Sequence, residues 1–409
     1  MKGLKRIRWI FLQTGLVAVF LFVSIGLTAA AAASPEDEAV TAYQPIQTAA
    51  ESAAMIDVTS GRILYSSAGD KRMRIASTTK IMTAIVAIEN GNLSDQVTIT
   101  KTAFGKEGSS IYLKLGEKIS LSNLLYGLML RSGNDAATAI AEHVGGSVDG
   151  FVYLMNRKAE ELGMTNSHFM NPSGLDDDQH YSTANDMARL AAYALKNPVF
   201  REIVKTKRIN VSREDQAWDD VWTNKNKMLN LFPGADGVKT GFTKLSRRCL
   251  VSSATRDGQQ LAVVTLNDGN DWADHARLLN YGFETFPLKT VVTEGSKLEN
   301  GLIAGQTFLY PAKKEEQQQF TSTLAVTDTR SADYKLGKRG NLKIYLSGAF
   351  VGSIPIYEDK TGAPAASAGK QATNHAQIAH KGSVSFAKRY MSQLAKVLIF
   401  LTQTAAGNR

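Results

Sequence analysis

The chain has 409 residues, 44% of them hydrophobic and 21% charged, which supports a folded core and excludes a fibrous or wholly disordered protein. Its formal charge of +9 sits at the two ends: residues 1–33 carry Lys2, Lys5, Arg6 and Arg8 and no acids, and residues 361–409 carry Lys370, Lys381, Lys388, Arg389, Lys396 and Arg409 and no acids. The body between is close to neutral, which argues against a nucleic-acid partner, because such a protein carries its basic patch on the folded domain.

In chain order, a basic start leads into an apolar run from Trp9 to Leu27 and then into alanines ending at Ala33. That pattern predicts a secretory signal peptide over 1–33, with cleavage near Ala31 or Ala33. Ala53–Val58 and Arg62–Ser66 flank Thr59-Ser60-Gly61 and predict a β-hairpin. Helices are expected over Thr79–Ile88, closed by Asn90-Gly91, from Leu121 to Met129, and over Val152–Leu162, ending at Gly163. Arg248–Ala254 and Leu261–Leu266 alternate across Arg256-Asp257-Gly258, a second hairpin. Hairpins at both ends of the region with helices between predict an α+β catalytic body over 34–286, built on an antiparallel sheet. A small all-β domain is expected over 287–360, with Leu324–Thr327 and Leu342–Val351 as strands.

The stretch 361–383, rich in Ala, Gly, Ser, Gln and Lys, predicts a flexible linker. Beyond it Phe386, Tyr390, Leu394, Val397, Leu398 and Leu401 recur at helical spacing, with Lys388, Ser392 and Lys396 on another face. Residues 384–409 are therefore expected to form an amphipathic helix that attaches the exported protein to the outer face of an anionic membrane surface. The single cysteine, Cys249, forbids an internal disulfide and reads as a buried, inert thiol. The six histidines form no metal-binding pattern, and no metal or other cofactor is expected.

Serine hydrolysis needs a nucleophile, a base within reach and donors for an oxyanion. Ser77-Thr78-Thr79-Lys80 supplies the first two if Ser77 opens the helix, since Lys80 then lies one turn on along the same face. Lysine serves as a base only with a lowered pKa, which burial and a second cation both provide. The motif alone is unspecific, because Ser367–Lys370 and Ser385–Lys388 also match it and Lys360-Thr361-Gly362 duplicates a Lys-Thr-Gly. Context separates them: the duplicates fall in the linker, at its edge or on the tail, whereas Ser77 opens an apolar helix. Ser132-Gly133-Asn134 follows the helix from Leu121, and Lys239-Thr240-Gly241-Phe242 precedes the second hairpin. Ser132 suits a proton relay, Asn134 a substrate amide, and Gly241 a close approach of substrate backbone.

Ser77-x-x-Lys80, Ser132-Gly-Asn134 and Lys239-Thr-Gly241 together resemble the three motifs of penicillin-binding proteins and serine β-lactamases. Arg131–Ala136, Asn171–Asp176 and Tyr181–Ala188 narrow the resemblance to low-molecular-mass D-alanyl-D-alanine carboxypeptidases, over roughly residues 45–285. Gly108–Leu115, Gly150–Tyr153 and Asp271-Trp272 look most like the sporulation-type enzymes. The resemblance implies a penicillin-binding transpeptidase-like fold, peptidoglycan stem peptides as substrate and covalent reaction with β-lactam antibiotics. It implies that Ser77 attacks the carbonyl between two D-alanines, that Lys80 takes its proton, and that Ser132 relays one to the leaving amine. It further implies that Lys239 and Thr240 hold the terminal carboxylate, that Asn134 binds the peptide amide, and that the backbone N–H groups of Ser77 and Phe242 form the oxyanion hole. The family often has histidine at the positions of Phe242 and Ser173. The nearest rivals are a β-lactamase, whose class A members carry Ser-Asp-Asn at the second motif, and an endopeptidase acting on wall cross-links. A non-catalytic wall scaffold would have lost a motif member.

Overall fold

The computed structural model of the chain describes residues 46–213 and 220–359. The signal peptide expected over 1–33, the linker over 361–383 and the amphipathic helix over 384–409 lie outside these residues. Among the described residues no helix is long and apolar enough to cross a membrane.

The chain opens with the expected hairpin, β1 (Ala50–Asp57) and β2 (Ile63–Ser67). A 3-10 turn, Ala76–Thr79, then leads into α1 (Lys80–Asn90). Two short strands, β3 (Gln96–Thr98) and β4 (Lys118–Ser120), pair antiparallel and bracket a long loop. Next come α2 (Leu121–Tyr126), α3 (Asn134–Gly145), α4 (Val148–Glu161), α5 (Ala184–Lys196) and α6 (Pro198–Lys205). A small hairpin, β5 (Arg208–Val211) and β6 (Asp220–Thr223), and the single turn α7 (Met228–Leu231) precede the long strands. These are β7 (Ala235–Thr243), β8 (Arg247–Arg256) and β9 (Gln259–Asp268), followed by α8 (Asp271–Thr285).

The main sheet has the order β2-β1-β9-β8-β7 and every pairing is antiparallel. Alternation of side chains along the strands feeds two separate cores. Met55, Leu261 and Val263 pack on one face with Leu278, Leu279 and Phe283 of α8. Ala54, Ile56, Ala262 and Val264 face the opposite way into the larger cluster formed with α1 to α6. Helix α1 lies inside that cluster, with Ile81, Met82, Ala84, Ile85 and Val86 all buried. A helix apolar on every side needs such a position, which is why the apolar stretch after Ser77 is central and not peripheral. Asp257 and Gly258, at φ 50° and 81°, make the tight two-residue turn that the Asp-Gly pair between β8 and β9 predicts.

From Leu288 the chain forms two small sheets. β10 (Leu288–Val292) pairs with β12 (Phe308–Pro311), and β11 (Leu302–Ala304), β13 (Phe320–Val326), β14 (Lys338–Leu346) and β15 (Ala349–Glu358) form a four-stranded sheet in the order β11-β15-β14-β13. They share a cluster of their own, including Leu302, Leu342, Ile344, Ile354 and Ile356. The expected single strand Leu342–Val351 is in fact two. Ser347 and Gly348, at φ 51° and 81°, turn the chain back between β14 and β15. The α+β class with a following all-β region is thus as the sequence predicts.

Candidate active site

Three elements converge on Ser77. The first is its own 3-10 turn. Ala76, immediately before it, holds φ 45°, a left-handed conformation unusual for a residue with a Cβ. Thr78 Oγ1 donates to Ile75 O at 2.6 Å and Thr79 Oγ1 to Ala76 O at 2.8 Å, so the threonines of the motif tie the bend together. Gly174 makes the bend possible from outside: a Cβ there would lie 1.9 Å from Ala76 O. The helix therefore starts at Lys80 and not at Ser77, yet the amine and the hydroxyl still share one face.

Lys80 is fully buried. Its Nζ lies 3.1 Å from Ser77 Oγ, 2.7 Å from Asn134 Oδ1 and 2.7 Å from the carbonyl of Ser173. Burial holds its pKa well below that of an ordinary lysine, and the positive charges of Lys239 and Lys225 lower it further. A neutral amine has two hydrogens and one lone pair. The two carbonyl-type acceptors use the hydrogens, which leaves the lone pair for the Ser77 hydroxyl.

The second element is the end of α2. It was expected as one helix to Met129, but it widens after Tyr126 into a π turn, Gly127–Arg131. Ser132 follows in the left-handed conformation, φ 67°, and is 4% exposed. Such a π turn re-aims the residues after it, and Asn134, two residues beyond Ser132, reaches Lys80. Asn134 begins α3. Its Nδ2 donates to Glu107 O at 2.7 Å, which sets the amide so that Oδ1 faces Lys80. One acceptor lone pair and one N–H of this amide are thus committed within the protein, and one of each remains for a ligand.

The third element is β7, an edge strand of the sheet. Lys239 is 1% exposed and donates to Thr240 O at 2.9 Å. Burial, aided by Lys225, lowers its pKa to about 7. Thr240 is half-buried, while Phe242 is 63% exposed. Gly241 has a reason beyond the one expected: a Cβ there would lie 3.1 Å from the Ser77 nitrogen, against the N–H expected to receive an oxyanion.

Several contributors escaped sequence reasoning. Asn171 Oδ1 accepts from the backbone N–H groups of Ser173, Gly174 and Leu175, and Thr83 Oγ1 donates to Pro172 O, which aims the Ser173 carbonyl at Lys80. The Ser173 side chain turns back to Asn171, so position 173 braces the site through its main chain. His180, 3% exposed, accepts from Met170 N through Nδ1, so its Nε2–H donates to Thr79 Oγ1 at 2.9 Å. Burial lowers its pKa to about 4, and it stays neutral. Lys225, whose Nζ lies 3.3 Å from Ser109 Oγ, adds the third cation. Asn171 and Ser173 fall in the Asn171–Asp176 stretch that carries the resemblance, though their bracing role was not read from it, while Thr83, His180 and Lys225 form no motif with their neighbours. Cys249 is buried, with its thiol pKa pushed up to about 11, and is not a nucleophile.

A serine paired with a buried lysine of lowered pKa, beside a cationic strand edge, is the arrangement of an acylating serine enzyme. Comparison with known proteins gives the family. The D-alanyl-D-alanine carboxypeptidase model of peptidase family S11 matches residues 38–270. The carboxypeptidase DacF of Bacillus subtilis is 32% identical over 330 residues, covering 75% of this chain and 84% of the relative. A Streptomyces carboxypeptidase is 38% identical over 242 residues, 54% of this chain and 83% of its own. Among solved structures, penicillin binding protein 5 from Haemophilus influenzae aligns with TM-score 0.63 at 28% identity, over 77% of this chain and 98% of its own. The chain belongs to the D-alanyl-D-alanine carboxypeptidase family. Relatives from several genera match at similar identity, so the match is to the family and not to one subtype.

Proposed function

We propose that the protein removes the terminal D-alanine of peptidoglycan stem peptides through an acyl-enzyme on Ser77. The observation that carries the reading is the 3.1 Å pairing of Ser77 Oγ with the buried amine of Lys80. Lys80 takes the hydroxyl proton as Oγ attacks the carbonyl between the two D-alanines. The tetrahedral oxyanion is held by the backbone N–H groups of Ser77 and Phe242. Ser132 relays a proton to the departing amine as the peptide bond breaks, and D-alanine leaves. Lys239, protonated, and Thr240 hold the terminal carboxylate, Gly241 keeps the oxyanion position open, and Asn134 uses its remaining donor and acceptor on the peptide amide. Water, deprotonated by the same lysine, then releases the acyl group. A β-lactam enters the same path and stops at the acyl-enzyme.

The test is direct. Purified protein should release D-alanine from a peptide ending in D-Ala-D-Ala, and Ser77→Ala should abolish both release and covalent penicillin labelling. Labelling that survives in Ser77→Ala would overturn the nucleophile assignment.

A second reading concerns the acceptor. The Streptomyces K15 structures, 36% identical over 99% of their chain, are described as a DD-transpeptidase. An amine replacing water in the second half-reaction would join two peptides instead of hydrolysing one. Mass spectrometry of products with an added amino-acid acceptor separates the two outcomes.

We also propose that residues 1–33 export the protein and that 384–409 attach it to the outer face of the cytoplasmic membrane. Export of a catalytic body over 34–286 and a β domain over 287–360 matches a wall substrate. Deleting 384–409 should free the enzyme from anionic vesicles with activity intact; binding that persists would refute the attachment.

A further inference from the structure

The loop between β3 and β4 reaches Asn134 but is itself held by a residue far along the chain. Arg213 and Glu117 are a buried ion pair, with side chains 3% and 2% exposed. Arg213 Nε and Nη2 each donate to one carboxylate oxygen of Glu117, both at 2.6 Å. The remaining donors reach Ile111 O at 3.0 Å, Tyr112 O at 2.9 Å and Asp220 Oδ2 at 2.9 Å. All five N–H groups of the guanidinium are thereby matched. A buried pair is a weak source of stability in itself. This one additionally fixes two consecutive carbonyls of the loop.

Asp135 holds the same segment, accepting from Ser110 Oγ at 2.6 Å and from the N–H groups of Ile111 and Leu113 at 3.1 Å. Between the two clamps Tyr112 is forced to φ 59° with its ring 83% exposed. A bulky residue holds that conformation only where its surroundings impose it. The loop so fixed presents Glu107 O to Asn134 Nδ2 and Ser109 O to Asn134 N, both at 2.7 Å. Those two bonds set the amide that faces Lys80.

We propose that Arg213 is a positioning residue for acylation, acting through the 107–113 loop and Asn134 on Lys80. The inference rests on Lys80 being the base. Arg213→Lys keeps a cation opposite Glu117 but replaces a planar fork of five donors with a point of three, so both loop carbonyls cannot be held. The second-order rate of penicillin acylation is measured on the full chain, with and without Asn134→Ala. Arg213→Lys should slow acylation about ten-fold in the parent, a rise of about 1.4 kcal/mol in activation free energy. In the Asn134→Ala background it should slow it less than two-fold, and only in the parent should it displace the rising limb of the pH–rate profile.

No loss in the parent, or an equal loss in both backgrounds, would reduce Arg213 to a stabilising residue and overturn the proposal. Should Arg213→Lys fail to fold, the double variant R213M/E117M replaces both buried charges with apolar side chains and goes through the same cycle, with the same two outcomes. Parent protein that labels at Ser77 while the cycle comes out additive leaves the catalytic reading standing and removes only the clamp.

Discussion

At the scale of single residues, the site depends on two lysines whose charge is suppressed by burial. In the proposed mechanism Lys80 is neutral to accept a proton, and Lys239 is protonated to hold a carboxylate. Activity, read as kcat/KM for a D-Ala-D-Ala peptide, should therefore rise as Lys80 loses its proton. It should fall again with a midpoint near 7, where Lys239 loses its own. Lys225 lowers both pKa values. Removing a positive neighbour makes protonation easier, so Lys225→Met should move the falling limb to higher pH; a limb that stays in place would exclude Lys239 as its source. Ser77, Lys80, Ser132, Asn134 and Lys239 were all legible as motif members. Asn171 was legible as part of the Asn171–Asp176 stretch but without its role; Lys225 and His180 were not legible, because what they contribute is a charge or a buried hydrogen bond, each set by contacts distant in sequence.

At the scale of elements, the site is assembled by departures from regular structure. Gly174 admits the Ala76 carbonyl, and any side chain there meets it. Gly174→Ala should destabilise the fold by at least about 2 kcal/mol, from the clash together with its own φ of 81°. A melting temperature equal to the parent's would show that the bend is not held from that side. Helix and hairpin periodicity predicted α1 and the β8–β9 pair well, since one face or both of each is apolar at the right spacing. The π turn before Ser132 was illegible, because Gly127–Arg131 reads as a continuation of α2 in apolar pattern and only the turn's hydrogen bonding differs. The β14–β15 turn was missed for a related reason: a Ser-Gly pair inside an apolar run was outweighed by the run.

At the scale of the whole molecule, Arg62 joins the hairpin of the main sheet to the strands beyond Leu288. Its guanidinium donates to Pro311 O and to both carboxylate oxygens of Glu316, and lies 5.5 Å and 5.6 Å from the ring centres of Phe286 and Tyr310. Arg62→Ala should cost roughly 1–3 kcal/mol by thermal melting, with a non-additive cycle against Glu316→Ala; strict additivity would remove the link. Acid should weaken the fold as well. His180 and His275 are buried neutral, with pKa values lowered from 6.5 to about 4 and about 3. Their contribution is complete above pH 6.5 and is lost as pH falls towards those lowered values, because only the unfolded chain binds the protons there. His275→Gln should flatten the dependence of melting temperature on pH across that window, and an unchanged slope would assign acid sensitivity elsewhere.

The central claim, that Ser77 is the activated nucleophile, is tested most directly by locating the acyl group. Brief exposure to penicillin at neutral pH, followed by tryptic digestion and mass spectrometry, should place a single adduct on the peptide Ile75–Lys80, which contains Ser77. An adduct on any other peptide, or folded protein that carries none, would contradict the account.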